Sequence, residues 1–223
     1  MTPYRPPTEA PRFLHIDDDL LIVDKPSGLL SVPGRGPDKA DCLVSRVQQT
    51  FPDALAVHRL DMSTSGLLVM ARSETMHSQL SKLFRDRAVD KTYYALVDGL
   101  PVHDHGTIDL PLICDWPNRP RQKVDHEIGK PSLTRYRVLR RLPERHESLI
   151  ELLPVTGRSH QLRVHLASLG HPILGDELYG AHTLSRSPRL MLHAAKIAFI
   201  HPSTGIVLEF VSEPVFFRSE NAQ

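Results

Sequence analysis

The chain has 223 residues, 40% hydrophobic and 24% charged, an ordinary balance for a globular protein long enough to bury a core as one large domain or two small ones. A formal net charge of +1 excludes a strongly cationic nucleic-acid sponge but leaves room for a local basic patch. No apolar stretch approaches the ~18 residues of a membrane helix, the opening MTPYRPPTEAPRF lacks the basic-then-apolar order of a secretion signal, and Cys42 and Cys114 have no metal-type spacing, which together imply a cytoplasmic protein with reduced thiols and no membrane partner.

Residues 1–12, with four prolines among the first eleven, are expected as a flexible arm. FLHIDDDLLIVDKP reads as two short strands around the turn Asp17–Asp19, and KPSGLLSVPGRGPDKA, with Gly28, Gly34 and Gly36 among prolines, as a loop. Leu43, Val44 and Val47 share one face of a helix expected to follow Asp41 and end before Pro52. Leu67, Leu68, Val69 and Met70 form an apolar run that reads as a buried strand. Met76, Leu80, Leu83 and Phe84, spaced i, i+4, i+7, i+8, predict a helix over 74–86. KTYYALVDG, LTRYRVLRRL and SLIELLPV predict strands, the last two antiparallel across PERHE. Ser159 is placed as the N-cap of a helix with Leu162, Leu166 and Leu169 on its apolar face and Gly170 as its stop. Residues 189–211 predict two strands around HPSTG. Strands outnumber helices without strict alternation, so the expected fold class is α+β, a mixed, mostly antiparallel central sheet with flanking helices and a catalytic cleft. The expected domain covers 13–215, with 216–223 as a tail.

The stretch VHRLDMSTSGLLVMAR, residues 57–72, puts a polar knot at the mouth of the apolar strand. Asp61 followed by Ser63 and Thr64 could be a simple Asx turn. It could equally be an ionised carboxylate acting as nucleophile or base beside guanidinium groups. Arg163, in TGRSHQLRVH, lies beside the Leu162–Leu166 face and is expected to be partly covered, either as a snorkelling surface arginine or as the partner of Asp61. Strand alternation puts Tyr93 and Tyr94 on opposite faces, so one ring alone can serve as a stacking platform for a flat base. His160 and His165 are five apart, there is no HExxH pattern, and no metal is expected. His58, His171 and His193 read as structural or RNA-contacting groups. Arg119, Arg121 and Lys123 form one modest basic cluster, and Arg135, Arg137, Arg140 and Arg141 another.

As a set, these residues resemble the RluA family of RNA pseudouridine synthases. HRLDMSTSGLLVMAR is similar to that family's signature, and KPSGLLSVPGR, KTYYALVDG and TGRSHQLRVHLASLGHPILGD match its other motifs in order, over roughly residues 13–212. LPLICDWPNRPRQKV is similar to an insert of the short subgroup that has no S4 RNA-binding domain. The resemblance implies isomerisation of uridine to pseudouridine without metal or cofactor, in uridine 32 of the tRNA anticodon stem-loop and uridine 746 of 23S rRNA. It implies Asp61 as the catalytic aspartate, Arg163 as its partner, and Tyr93 packed against the target base. Arg59 would contact the RNA beside the extracted uridine, and His58, Thr64, Arg158, Arg119 and Arg121 are counted with it as RNA-binding. Two rivals stand beside this reading. One is an N-glycosidic hydrolase, which would need a second carboxylate that the neighbourhood of Asp61 does not offer in sequence. The other is a non-catalytic RNA-binding module of the same fold. Nothing signals an oligomer, and a monomer is expected.

Overall fold

The structure, a computed structural model, describes residues 4–218; the first three residues of the expected arm and the last five of the expected tail lie outside the described residues. In chain order the elements are β1 (Arg12–Ile16), β2 (Leu20–Lys25), α1 (Leu43–Val47), β3 (Leu55–Ala56), β4 (Ser65–Ala71), α2 (Glu74–Arg85), β5 (Asp90–Asp98), β6 (His105–Asp109), β7 (Leu112–Cys114) and β8 (Gln122–Val124). There follow β9 (Leu133–Leu142), β10 (Glu147–Pro154), α3 (Gln161–Ser168), β11 (Leu192–Ile200), β12 (Val207–Val211) and α4 (Val215–Arg218). The span expected as one domain contains two compact units, one running through Lys91 and resuming at His193, the other Thr92–Leu192.

In the first unit β4 is the central strand, and all seven of its residues are buried. It pairs antiparallel with β2 and β3 and parallel with β11, and β1 and β12 extend the two sides as antiparallel partners of β2 and β11. Burial on both faces is why SGLLVMA reads as a continuous apolar run rather than an alternation. Leu67, Val69 and Ala71 meet Met76 and Leu80 of α2, with Leu20, Ile22, Ile197 and Phe199 completing that cluster. Gly66 has φ +112°, and a Cβ there would lie 2.3 Å from the Ala194 carbonyl oxygen, so the close β4–β11 pairing requires glycine. α1 starts where expected: Cys42 Sγ accepts from the Ser45 N–H, and Ser45 Oγ accepts from the Cys42 N–H, a reciprocal cap.

The expected flexible arm is fastened to this unit. Tyr4 Oη donates to the Asp41 carbonyl and accepts from the Leu30 N–H, both at 3.0 Å. Arg46 donates to the Pro7 and Glu9 carbonyls at 2.7 and 2.8 Å while its guanidinium also grips Asp41. These partners are more than 25 residues away in sequence, so local composition could not reveal them. At the other end α4 begins at Val215, and Phe216, assigned to the tail, is buried.

The strands of the second unit run in the order β5, β10, β9, β6, every pair antiparallel, and β7–β8 form a separate hairpin. The predicted β9–β10 hairpin carries a bulge between Leu149 and Ile150 that absorbs one residue of β9. α3 packs Leu162 and Leu166 on Ala95, Val97, Ile150 and Leu152. It starts one residue later than expected. His160 is the N-cap, in the left-handed region at φ 54°, and its side chain makes no capping bond. Gln161, the first helical residue, turns its amide inward instead: Oε1 accepts from Thr156 Oγ1 and the Arg158 N–H, and Nε2 donates to the Leu133 carbonyl and Thr134 Oγ1. Six consecutive residues of α3, Gln161 to Leu166, are buried, whereas Leu169, expected on the apolar face, is 42% exposed.

Candidate active site

Asp61 sits four residues before β4, half-buried, in a turn closed by the Thr64 N–H donating to the Asp61 carbonyl at 3.1 Å. The turn is shaped from outside by the KPSGLLS segment that follows β2. Lys25 Nζ donates to the Met62 carbonyl at 3.0 Å and to the Leu29 and Pro26 carbonyls at 2.7 and 3.0 Å. Ser27 Oγ donates to the Ser63 carbonyl, and the Gly28 N–H donates to the Met62 carbonyl. Ser31 Oγ both donates to the Leu60 carbonyl and accepts from the Leu60 N–H. Four residues of one motif thus hold the backbone on both sides of Asp61, and a carboxylate on such a support is preorganised for chemistry. This role of the upstream motif could not be read from sequence, where KPSGLLS is a loop and a matched motif with no contacts assigned to it.

Lys25 is fully buried, and desolvation pushes its pKa down to about 7 while the charges of Asp61 and Asp24 pull it back up. Its three carbonyl partners match the three N–H groups of an ammonium; a neutral amine leaves one of them without a donor. Because the folded pKa lies below the ordinary lysine value of 10.5, the folded state binds fewer protons than the unfolded chain between about pH 7 and 10.5. On this group alone, stability rises with pH across that window, and the penalty for burying the charge is complete below about 7. The slope approaches ~1.4 kcal/mol per pH unit. Lys25→Met is expected to flatten it, read as melting temperature against pH for both proteins; parallel wild-type and variant curves from pH 7 to 10 would show that Lys25 does not titrate there.

The other sequence candidates in this unit divide by exposure. Arg59 is exposed and open to a ligand. His58 is committed to the fold: Nε2 accepts from the Val69 N–H at 3.1 Å, and the ring stacks on Phe84 at 4.3 Å. Burial holds it neutral, its pKa pushed down to about 3, with Lys91 adding to the shift. These contacts are structural ones. Thr64, counted as RNA-binding, is 3% exposed and closes the turn through its backbone, so it shapes the loop rather than offering surface. His193 bonds Ser65 Oγ through Nδ1 and Ser212 through Nε2, and Ser212 Oγ donates to Asp24, so the start of β4 is clasped to β11 and β2 by side chains as well as by backbone.

In the second unit Arg163 is not partly covered but buried, 3% exposed. Its Nε and Nη2 donate to the two carboxylate oxygens of Asp176 at 2.8 and 2.7 Å, a bidentate pair with a residue that is itself fully buried. Asp176 Oδ1 also accepts from the Leu178 and Tyr179 N–H groups. The Tyr179 ring lies under the guanidinium at 5.3 Å, and its hydroxyl bonds His160 Nδ1 at 2.8 Å and accepts from the Gln122 N–H at 2.7 Å. Gly175, immediately before Asp176, has φ +71°, and a Cβ there would lie 2.0 Å from the Arg189 carbonyl oxygen. Sequence reasoning missed Asp176. The available signal was an aspartate, followed by Glu177, inside the largely apolar, glycine-bracketed stretch GHPILGDELYG, a setting in which a buried acid must be paired. The Asp176 bond uses Nε and Nη2; the Nη1 donors take no part in it.

Tyr93 packs on the same cluster as Leu162 and Leu166 of α3, while its register partner on β10 is Leu152. Tyr94, opposite Glu151, lies on the other face. Of the two rings, then, Tyr93 shares a face with the helix that carries Arg163. Arg158, Arg119 and Arg121 are all exposed, and Arg121 donates to the Leu178 carbonyl with its guanidinium 5.9 Å from the Tyr179 ring. His165 is structural, bonded to Thr134 Oγ1 and the Leu110 carbonyl, its pKa lowered by burial.

A family model described as RNA pseudouridylate synthase matches residues 19–168. A Vibrio vulnificus protein named dual-specificity RNA pseudouridine synthase RluA is 53% identical over 211 residues, covering 92% of this chain and 84% of its own. The Escherichia coli K12 protein of the same name is 47% identical over 212 residues, covering 94% and 96%. Among solved structures, human RNA pseudouridylate synthase domain containing 1 superposes with a TM-score of 0.79 at 30% identity, over 96% of this chain and 88% of that one.

Proposed function

This chain belongs to the RNA pseudouridylate synthase family and isomerises uridine to pseudouridine in RNA, and from that premise we propose that Asp61 is its catalytic carboxylate and that it acts on two RNAs. The reaction cuts the bond between uracil N1 and ribose C1′, turns the base, and joins C5 to C1′; N1 gains a proton and C5 gives one up, so nothing is oxidised or reduced. Whether the carboxylate attacks C1′, attacks C6 or takes the 2′ proton, it must be ionised and held in place, and it must meet a base taken out of its stack. The observation that carries the assignment is the turn at Asp61, gripped from both sides by Lys25, Ser27, Gly28 and Ser31. Arg163, oriented by Asp176, is read as the guanidinium that pairs with Asp61, and Tyr93 as the ring that packs on the uracil; the shared face of Tyr93 and α3 supports that reading. Arg59, Arg158, Arg119 and Arg121, all exposed, are read as RNA contacts.

The two RNAs are the tRNA anticodon stem-loop, at uridine 32, and 23S rRNA, at uridine 746. Support comes from relatives at about half identity that are named dual-specificity enzymes. With a net charge of only +1, selection by loop shape and unstacked bases suits this chain better than bulk charge. No helix among the described residues is long and apolar enough to cross a membrane, and the cytoplasm, where both RNAs reside, is the proposed location. The test is incubation of purified protein with each unmodified RNA, followed by carbodiimide mapping. Modification at both uridines is expected. Modification of one alone would reduce the assignment to single specificity, and modification elsewhere would replace the proposed sites.

A further inference from the structure

Trp116 is the chain's single tryptophan and is 66% exposed, an expensive place for the largest apolar ring. The Arg119 guanidinium lies 4.5 Å from its centroid and covers one face. The loop between β7 and β8 that carries both is tightly tied. The Asp115 N–H donates to the Arg121 carbonyl, the Arg121 N–H to the Asn118 carbonyl, and Asn118 Nδ2 to the Asp115 carboxylate. Its far end is bonded to the segment that holds Arg163, through Gln122 N–H to Tyr179 Oη and Arg121 to the Leu178 carbonyl.

We propose that Trp116, backed by Arg119, is a stacking platform for an unpaired loop base of the RNA substrate, a base other than the target uridine. One ring face is already held flat against a guanidinium, and the exposure of the residue leaves the other face for a planar ligand. Arg119, Arg121 and Lys123, three cations within five residues, supply the phosphate attraction that favours a nucleic acid over an apolar peptide. The loop's internal bonds mean that little ordering remains to be done on binding. Because the same loop is fixed to the Asp176–Tyr179 segment, a base seated on Trp116 would set the RNA's register relative to Arg163. The inference rests on the assignment of an RNA loop substrate made above.

A single tryptophan makes the test direct. Fluorescence of the wild-type protein is titrated with unmodified anticodon stem-loop and with a 23S rRNA fragment, alongside anisotropy of end-labelled RNA as an independent measure of binding. Emission is expected to be quenched in step with binding. Trp116→Ala is expected to raise KM about tenfold with kcat within about twofold, Trp116→Phe to retain most of the affinity, and both to melt as wild type does because the ring is exposed. Saturable binding with unchanged emission, or an unchanged KM in Trp116→Ala, overturns the platform and leaves the RNA assignment intact. Failure of both RNAs to bind overturns the two together.

Discussion

Asp61→Asn is expected to lower pseudouridine formation by about a thousandfold or more while leaving RNA affinity within about tenfold, ~1.4 kcal/mol. The substitution is isosteric, and several supports of the turn act on backbone: the Thr64 N–H donates to the Asp61 carbonyl, and Lys25, Ser27 and Ser31 bond neighbouring backbone groups. What disappears is an anionic oxygen able to attack or to take a proton, which an amide cannot replace at neutral pH. Lys25 loses one of the two charges that favour its protonated form, so a modest change in stability accompanies the variant. Time courses of carbodiimide mapping measure the first quantity and filter binding the second. Turnover comparable to wild type would remove Asp61 from the mechanism, and equal loss of binding and turnover would make it a recognition residue.

Asp176→Asn carries the second large effect, this time on stability. It removes the carboxylate charge of the bidentate pair from the Arg163 guanidinium, which is 3% exposed. Breaking one side of a buried pair costs about 3–5 kcal/mol, which for a chain of this length lowers the melting temperature by roughly 10 °C. Oδ1 of the asparagine can still accept from the Leu178 and Tyr179 N–H groups, so the loss is assigned to the ion pair rather than to the loop. The double variant Arg163→Met, Asp176→Asn removes the buried guanidinium as well and is expected to recover most of the stability, since apolar replacement of a buried pair is often neutral. Activity should stay low in the double variant because the guanidinium read as the partner of Asp61 is gone. A double variant as unstable as Asp176→Asn would place the energetic role of Asp176 outside the pair.

The family places this chain among isomerases, which settles the rivalry with a hydrolase and with a binding module at the level of reaction class. The residues proposed for the chemistry fall in both units: Asp61 and its supports in the first, Tyr93, Arg163 and Asp176 in the second. The arginines proposed as RNA contacts stand on exposed loops and the catalytic candidates on buried or half-buried elements, the usual division between recognition and a preorganised site.

Much was legible in the sequence because the signals are local. The apolar run Leu67–Met70 determined a strand buried on both faces, the four-residue spacing from Met76 determined α2, and alternation determined that Tyr93 and Tyr94 face apart. The ordered motifs HRLDMSTSG, KPSGLLS and TGRSHQLRVH determined the family. Tertiary structure alone decided which partners each polar group finds. Lys25 reaches Met62 across 37 residues, Tyr4 reaches Leu30 and Asp41, and Arg163 meets Asp176 in a stretch that looks apolar. It also moved the start of α3, because Gln161 satisfies buried groups on β9 instead of leaving Ser159 to cap. The division has one physical cause. Periodicity reports which face of an element is desolvated, a property of neighbours along the chain, whereas a desolvated polar atom must be paired by whichever group the fold brings near, and that group can lie anywhere in the sequence.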